Sequence, residues 1–235
     1  MDKFIFNITK SHYKFYLVTF ALLTLCLLPL SIFLIANSPE DYLQGIYAKI
    51  MYIHVPSAWL ALMWYSIIAA CAVLFLVFKN PIFDHYAASI APIGAIFCII
   101  TLSTGSIWGK PTWGTWWAWD ARLTSVLILL FMYIGYIALR NSNAQGEKSA
   151  KIASIFAIVG FINIPIIKFS VDIWNTLHQP SSVFKLSGPS IHISMLIPLL
   201  ISALNLFFFS CLILLLRVQS LSCRKRLAKQ RLRKK

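Results

Sequence analysis

Six long apolar segments restrict this chain to one kind of fold. A helix needs about 20 apolar residues to cross roughly 30 Å of hydrocarbon, and six stretches of the 235-residue sequence reach about that length. The strands of a membrane barrel are only about ten residues long and alternate in polarity. The sequence therefore predicts an all-α integral membrane protein with six transmembrane helices, over residues 15–36, 56–78, 87–107, 121–139, 152–169 and 194–216.

The composition excludes several classes of membrane protein. Charged residues make up 12% of the chain and the mean hydropathy is +0.77, whereas soluble domains carry about 25% charge. The predicted spans contain no chain of Asp, Glu and His side chains, which argues against a proton pump or an ion-coupled transporter. No phosphate-binding loop is present, because Gly109-Lys110 is followed by proline. Any energy from ATP must come from another subunit.

The distribution of positive charge predicts the orientation. Six spans put both termini on one side, and sixteen of the 21 Lys and Arg residues fall there, nine of them from Arg217 to Lys235. Cytoplasmic loops are rich in Lys and Arg, so both termini are predicted to be cytoplasmic. We expect a membrane domain over residues 1–216 and a basic cytoplasmic tail over residues 217–235. Contact with anionic lipids is the first interpretation of the tail, docking of a cytoplasmic partner is the alternative, and nucleic acid is not an expected partner.

Tryptophan is concentrated in one predicted outer loop, between the third and fourth spans. Five of the eight tryptophans fall within residues 108–119, and we call residues 108–120 the tryptophan segment. An interfacial belt is the simpler explanation, but a belt would spread tryptophans over all helix ends. Because indole rings offer large, rigid apolar surfaces, the cluster predicts a binding surface for a large, planar, apolar ligand.

Spacing within this segment predicts a short helix before the fourth span. Such a helix, capped by a preceding threonine, would place Trp116 and Trp119 on one face. It would also pair Trp113 with Trp117 one turn apart. Four rings would then form one flat surface at the edge of the membrane.

Two histidines are predicted at the same membrane face. His54 comes just before the second span, where Pro56 suits the first helical turn, and His178 lies in the third outer loop. Two neutral imidazoles on opposite sides of a porphyrin can fill both axial positions of its iron. Zinc is the competing metal, because His192 or Asp172 can add a third ligand.

Two charged residues follow the tryptophans. Asp120 is expected to hold the loop or an imidazole N–H group, and Arg122 to meet a carboxylate of the ligand. Ordinary interfacial charges are the alternative interpretation. The two residues are two apart, so their side chains are expected to point in different directions.

These residues carry a resemblance to a known family. The motif after residue 112 resembles the tryptophan-rich WWD signature of haem-handling membrane proteins, here within a loop over residues 108–125. The length, the six spans and both histidine motifs are similar to those of its short members, the cytochrome c maturation protein C or haem exporter protein C family. The matching residues run Trp113-Gly-Thr-Trp116-Trp117-Ala-Trp119-Asp120-Ala-Arg122-Leu-Thr-Ser125.

The resemblance implies a function in cytochrome c-type biogenesis without enzymatic activity. It implies that haem b binds transiently at the outer face and passes to a membrane-anchored periplasmic haem chaperone. ABC-transporter subunits and a small membrane subunit are the other implied partners, in the bacterial inner membrane or its mitochondrial equivalent. By motif, His54 and His178 match the axial histidines. The matching haem platform and chaperone-facing loop comprise Trp113, Trp116, Trp117, Trp119, Asp120 and Arg122.

Two other functions stay open at this stage. A redox subunit would keep its haem and carry electrons or react with quinone, and histidines on facing transmembrane helices would favour it. The predicted placement of both histidines in loops argues against that function. A structural membrane subunit of an ABC assembly would use its tryptophans only for docking.

Overall fold

The described part of the chain is helical. The computed structural model describes residues 10–142, 146–179, 182–183, 185 and 188–233, with the backbone alone for 10, 11, 225, 228, 229, 232 and 233. Within these residues one isolated β-bridge joins Asp41 to Gly45. The helices are α1 (Lys10–Ala36), α2 (Met51–Phe78), α3 (Pro81–Trp113), α4 (Ala121–Asn141), α5 (Gly146–Phe161), α6 (Asn163–Ile173) and α7 (Ile193–Arg233), with a 3-10 helix (Ile46–Ile50) before α2.

The predicted fold class is confirmed. Six helical segments in the described residues are long and apolar enough to cross a membrane, and each predicted span lies within one of them. The fifth segment consists of α5 and α6 together. The chain is therefore a multi-pass membrane protein. The cytoplasmic placement of both termini stays a prediction.

Local sequence explains where α3 begins and ends. Asn80 caps the helix by accepting a hydrogen bond from the Ile82 amide at 3.0 Å, and Pro81 occupies the first turn, where its missing N–H group is tolerated. At the other end, Gly114 adopts a φ of 76° and donates its N–H to the Lys110 carbonyl at 3.1 Å. This left-handed residue stops the helix directly after Trp113.

A proline accounts for the break between α5 and α6. Pro165 has no N–H group, and its ring would clash with the carbonyl four residues earlier. The chain makes a turn at Ile162, whose amide bonds to the Val159 carbonyl at 3.2 Å. Asn163 then donates its side-chain amide to the Ser125 carbonyl at 2.8 Å. This buried bond holds α6 against α4.

The helices α2 and α3 form the centre of the bundle. They pack on each other, with α4, α5 and α7 around them, and α1 packs on α7. The side chains of α1 are mostly exposed; Leu25, for example, is 66% exposed. Such an apolar surface is suited to contact with lipid.

One end of the bundle is held together by charged side chains. We call this end, where α3 begins, the basic end, and the opposite end, which carries the tryptophan segment, the tryptophan end. At the basic end Arg140 makes two 2.6 Å hydrogen bonds to the buried Asp84 carboxylate. Arg217 donates to the Ser89 carbonyl at 3.0 Å. The predicted domain boundary at residue 216 falls inside α7, which continues through it without a break.

Candidate functional site

An open cavity lies at the tryptophan end and encloses about 840 Å³, counted together with the solvent space at its mouth. The helices α2, α3, α4 and α6 supply most of the wall, and the α6–α7 loop completes it. Apolar side chains dominate the lining, with a few polar groups among them. The residues that carry the site are His54, Thr101, Gly105, Trp108, Trp113, Trp117, Arg122, Leu129, Ile167, His178 and Gln179.

His54 enters the cavity from α2 and not from the preceding loop. The helix begins at Met51, three residues earlier than His54, so the predicted position before the second span is wrong. The 3-10 helix continues directly into α2, which is why Pro56 does not mark the start. The imidazole is 9% exposed, and its Nδ1 lies 3.0 Å from the Thr104 hydroxyl. The Trp108 ring packs against it in a T-shaped arrangement, with the centroids 5.7 Å apart and the planes at 80°.

His178 reaches the same cavity from the α6–α7 loop. Its ring centroid lies 6.3 Å from that of His54, and the two ring planes are inclined by 33°. Its Nδ1 lies 2.7 Å from the Gln179 carbonyl oxygen. Because a carbonyl only accepts, Nδ1 carries the proton and Nε2 keeps a lone pair.

The surroundings of His178 keep its imidazole neutral. Burial lowers its pKa below the ordinary value of 6.5, and the positive charge of Arg122 acts in the same direction. The Gln179 carbonyl and Asp120 act against this shift. A neutral imidazole is the form that binds a metal ion.

Asp120 holds the two outer segments together. One carboxylate oxygen accepts the Leu123 amide at 2.8 Å, which caps α4. The other accepts the Thr176 hydroxyl at 2.6 Å and the Leu177 amide at 3.2 Å. Thr176 in turn accepts the His178 amide at 3.0 Å. Asp120 therefore holds the loop, and among the described residues it bonds no imidazole N–H.

The predicted helix in the tryptophan segment does not form. Residues 114–120 are not helical, because α3 continues through Trp113 and Gly114 ends it. Trp116 and Trp119 therefore do not share a helix face. Trp119 instead packs edge-on against Trp117, with the centroids 5.6 Å apart and the planes at 78°.

The tryptophans divide into two groups. Trp108, Trp113 and Trp117 line the cavity, and the Trp113 centroid lies 6.2 Å from that of His178. Trp117 has a buried Nε1 without a hydrogen-bond partner in the described residues. Trp116 is 57% exposed and Trp119 is 80% exposed. The flat surface predicted for the segment is therefore split between the cavity wall and the protein surface.

Arg122 brings a positive charge to the cavity wall. It lies in the first turn of α4 and donates one guanidinium N–H to the Ile167 carbonyl at 3.0 Å. A guanidinium has five N–H donors, so this bond leaves others for a ligand. The arrangement fits an anionic group such as a carboxylate.

Comparisons with known proteins give the family. The family model described as Heme exporter protein C matches residues 4–233. The chain belongs to the haem exporter protein C family. It is 49% identical to Heme exporter protein C of Bradyrhizobium diazoefficiens over 181 residues, which cover 77% of this chain and 69% of the relative. Heme exporter protein C of Escherichia coli K12 is 43% identical over 184 residues, or 78% and 74% of the two chains.

A relative named for mitochondria is equally similar. The putative cytochrome c biosynthesis ccmC-like mitochondrial protein of Marchantia polymorpha is 50% identical over 184 residues, which cover 78% of each chain. The haem exporter protein C family consists of haem-export components and is not an enzyme family.

The other described histidines of this family member lie away from the cavity. His192 bonds to the Ser194 hydroxyl at 2.8 Å, and His12 is exposed at the basic end. His85 is buried at that end, 3.0 Å from the Ser222 hydroxyl. The described residues contain no group of three or more His, Cys, Asp and Glu side chains that could hold a metal ion.

Several residues in and around the cavity have no sequence signal of their own. Thr104 contacts His54 from within an apolar helix, where a threonine ordinarily bonds its own backbone. Gln179 contacts His178 through its main-chain carbonyl, which any residue at this position would supply. Thr176 lies two residues before His178, but nothing in the sequence indicates its bond to Asp120.

Proposed function

We propose that this protein holds haem b as a cargo between His54 and His178 and passes it to a membrane-anchored haem chaperone. The chaperone then supplies the haem for c-type cytochrome biogenesis. Membership of the haem exporter protein C family supports the class of cargo. The geometry of the two imidazoles supports the binding mode.

The separation of the two rings is the observation that carries this proposal. Two imidazoles that bind one metal ion from opposite sides, each at about 2.0 Å, place their ring centroids roughly 6 Å apart. The centroids of His54 and His178 are 6.3 Å apart. The Nδ1 atoms of both rings are engaged by neighbouring groups. The Nε2 atoms are therefore the ones left to bind iron.

The cavity wall suits the rest of the haem. Most of the porphyrin is apolar, and burying it against apolar side chains stabilises it by roughly 25 cal/mol per Å². The rings of Trp113 and Trp117 supply part of this surface. Arg122 is placed to receive a propionate carboxylate. Neutral imidazoles bind without a covalent bond, which suits a cargo that must leave.

The proposed location is the outer face of the bacterial inner membrane, or its mitochondrial equivalent. The excess of Lys and Arg on the other side supports this orientation. Trp116 and Trp119 are exposed beside the cavity, where a periplasmic chaperone can reach them. ABC-transporter subunits and a small membrane subunit complete the proposed set of partners.

The absorption spectrum of the detergent-purified protein tests the binding mode. We expect a low-spin, six-coordinate haem spectrum from the native chain. His54→Ala and His178→Ala should each convert it to a five-coordinate or high-spin form, while His192→Ala serves as a matched control because His192 lies outside the cavity. A spectrum unchanged by both alanine variants would remove the two histidines from the site.

Transfer distinguishes a cargo from a resident redox haem. The haem-loaded protein is mixed with an excess of apo-chaperone, and the haem content of each is measured after separation. We expect haem to move to the chaperone at a rate that Trp116→Leu and Trp119→Leu reduce. Retention of all haem by this protein would contradict delivery and favour a redox subunit.

A further inference from the structure

The Thr104 hydroxyl lies between the His54 ring and the backbone of α3. Its oxygen is 3.0 Å from His54 Nδ1 and 2.6 Å from the Ile100 carbonyl, with the Thr101 carbonyl at 3.3 Å. Both carbonyls can only accept, so they take the single hydroxyl proton. The hydroxyl oxygen is then left to accept from His54, and Nδ1 must be the donor.

The backbone of α3 approaches the same ring closely at Gly105. A Cβ atom on Gly105 would lie 2.9 Å from His54 Cε1, which is closer than real Cβ contacts. Gly105 therefore allows the imidazole to lie against the backbone of α3. The ring has its Nδ1 edge toward Thr104.

We propose that Thr104 is the positioning residue for His54, through a hydrogen bond that fixes the tautomer with an unprotonated Nε2. This inference rests on the proposed function, because it assigns the hydroxyl a role toward the iron-binding nitrogen. Ligating histidines in metal sites commonly donate their second N–H to a neighbouring acceptor, which fixes ring orientation and raises ligand basicity. Thr104 meets that description here.

The two histidines differ in what holds them. The partner of His178 Nδ1 is the main-chain carbonyl of Gln179, which no substitution removes. His54 Nδ1 bonds a side chain, the Thr104 hydroxyl, and the His54 ring also has the Thr101 main-chain carbonyl as an acceptor. Thr104 is thus a side chain whose substitution can loosen His54 without removing the imidazole.

The test compares haem loss from hydroxyl-free and hydroxyl-bearing variants. Thr104→Val keeps the branched shape and removes the acceptor, and Thr104→Ser keeps the hydroxyl. Outer-partner substitutions typically cost 10–100-fold in metal affinity, so we expect haem transfer from Thr104→Val to excess apomyoglobin to be at least about tenfold faster. The high-spin fraction of haem bound to the Thr104→Val variant should rise, and Thr104→Ser should behave like the native chain.

A matched control removes the same kind of backbone bond elsewhere. Thr24 bonds the Phe20 carbonyl at 2.7 Å in α1, as Thr104 bonds the Ile100 carbonyl in α3. Thr24→Val should leave haem loss and spin state unchanged. If Thr104→Val fails to accumulate in the membrane, Thr104→Ala removes the hydroxyl with a smaller side chain and is measured in its place.

A second background shows whether Thr104 acts through His54. In a His54→Ala background, Thr104→Val should cause no additional haem loss, because no imidazole remains to be held. An equal effect in both backgrounds, or native behaviour of Thr104→Val, would overturn the inference. A native protein without a six-coordinate haem spectrum would instead overturn the proposed function itself.

Discussion

The Asp120 carboxylate accepts a 2.6 Å hydrogen bond from the Thr176 hydroxyl, and this bond joins the tryptophan segment to the loop that carries His178. The same carboxylate also caps α4. One side chain therefore connects a helix that lines the cavity, the segment that supplies its aromatic wall, and the loop that supplies a proposed iron ligand. Three parts of the site depend on a single acceptor group.

Asp120→Asn should separate these roles. Asparagine is as good a helix cap as aspartate, but its NH₂ group cannot accept from Thr176 or Leu177. We expect α4 to remain folded while the His178 loop loosens, with haem loss about tenfold faster, as for other outer-partner substitutions. Haem transfer to apomyoglobin measures the loss, and thermal unfolding in detergent reports whether the helix bundle is intact.

Asp172→Asn is the matched control for charge. Asp172 is exposed and influences Arg122 electrostatically, but it makes no hydrogen bond to the His178 loop within the described residues. Its substitution removes the same charge near the cavity. Similar haem loss from both variants would show that charge, and not the bond to Thr176, matters.

The cavity tryptophans are expected to contribute to affinity. Trp113→Leu and Trp117→Leu keep the wall apolar but remove a flat ring, and aromatic contacts are worth about 0.5–1.5 kcal/mol beyond area burial. Each variant should therefore bind haem roughly 2- to 12-fold more weakly. Haem titration of the apoprotein in detergent measures this change. Native affinity in both variants would exclude a ring contact.

The exposed tryptophans are expected to act at a different step. Trp116→Leu and Trp119→Leu should leave haem titrations unchanged, because these rings are 57% and 80% exposed. Loading of the chaperone should fall, measured by haem staining and normalised to the amount of this protein in the membrane. Normal loading by the double variant would mean that both rings are membrane anchors.

Thiol labelling tests the orientation. Cys223 is exposed near the end of α7, and a Glu40→Cys variant adds a thiol in the exposed α1–α2 loop. In spheroplasts, a membrane-impermeant maleimide should label position 40 at once and Cys223 only after permeabilisation. Mass mapping identifies the labelled peptide. Labelling of both thiols in spheroplasts that have not been permeabilised would contradict the six-span orientation.

The Asp84–Arg140 pair should stabilise the basic end without affecting the cavity. The side chains are 5% and 19% exposed, so Arg140→Met leaves a buried carboxylate unpaired, which typically costs about 3–5 kcal/mol. The Asp84→Leu/Arg140→Met double variant should recover most of this stability in thermal unfolding. Its haem spectrum should match the native one. Additive losses from the two single variants would argue against a direct pairing effect.

The spans could be predicted from the sequence because a membrane imposes a minimum apolar length on each of them. Pro165 was visible in the fifth span, but hydrophobicity continues through it, and only the turn at Ile162 shows that the segment is two helices. The start of α2 was placed too late for a similar reason. The first turn of a helix tolerates proline, so Pro56 predicts the start of α2. A proline at this position does not exclude a helix that begins about one turn earlier, as α2 does at Met51.

The sequence predicted several residues that now line one cavity, but it did not predict how they are arranged there. The spacing of the tryptophans fits a helix, and Gly114 overrode it by ending α3 in a left-handed conformation. Contacts between distant segments, such as Asp120 with Thr176 or Thr104 with His54, depend on how helices pack. Periodicity along one segment contains no information about that packing.

The last helix extends further than a membrane is thick. Its 41 residues measure about 60 Å at 1.5 Å per residue, compared with about 40–45 Å for a bilayer with its headgroups. Sharp bends in helices arise mostly at proline or glycine, and after Pro198 neither occurs up to residue 233. If α7 crosses the membrane at residues 194–216 as predicted, we expect its last turns to extend as a straight helix beyond the headgroups instead of lying flat along them.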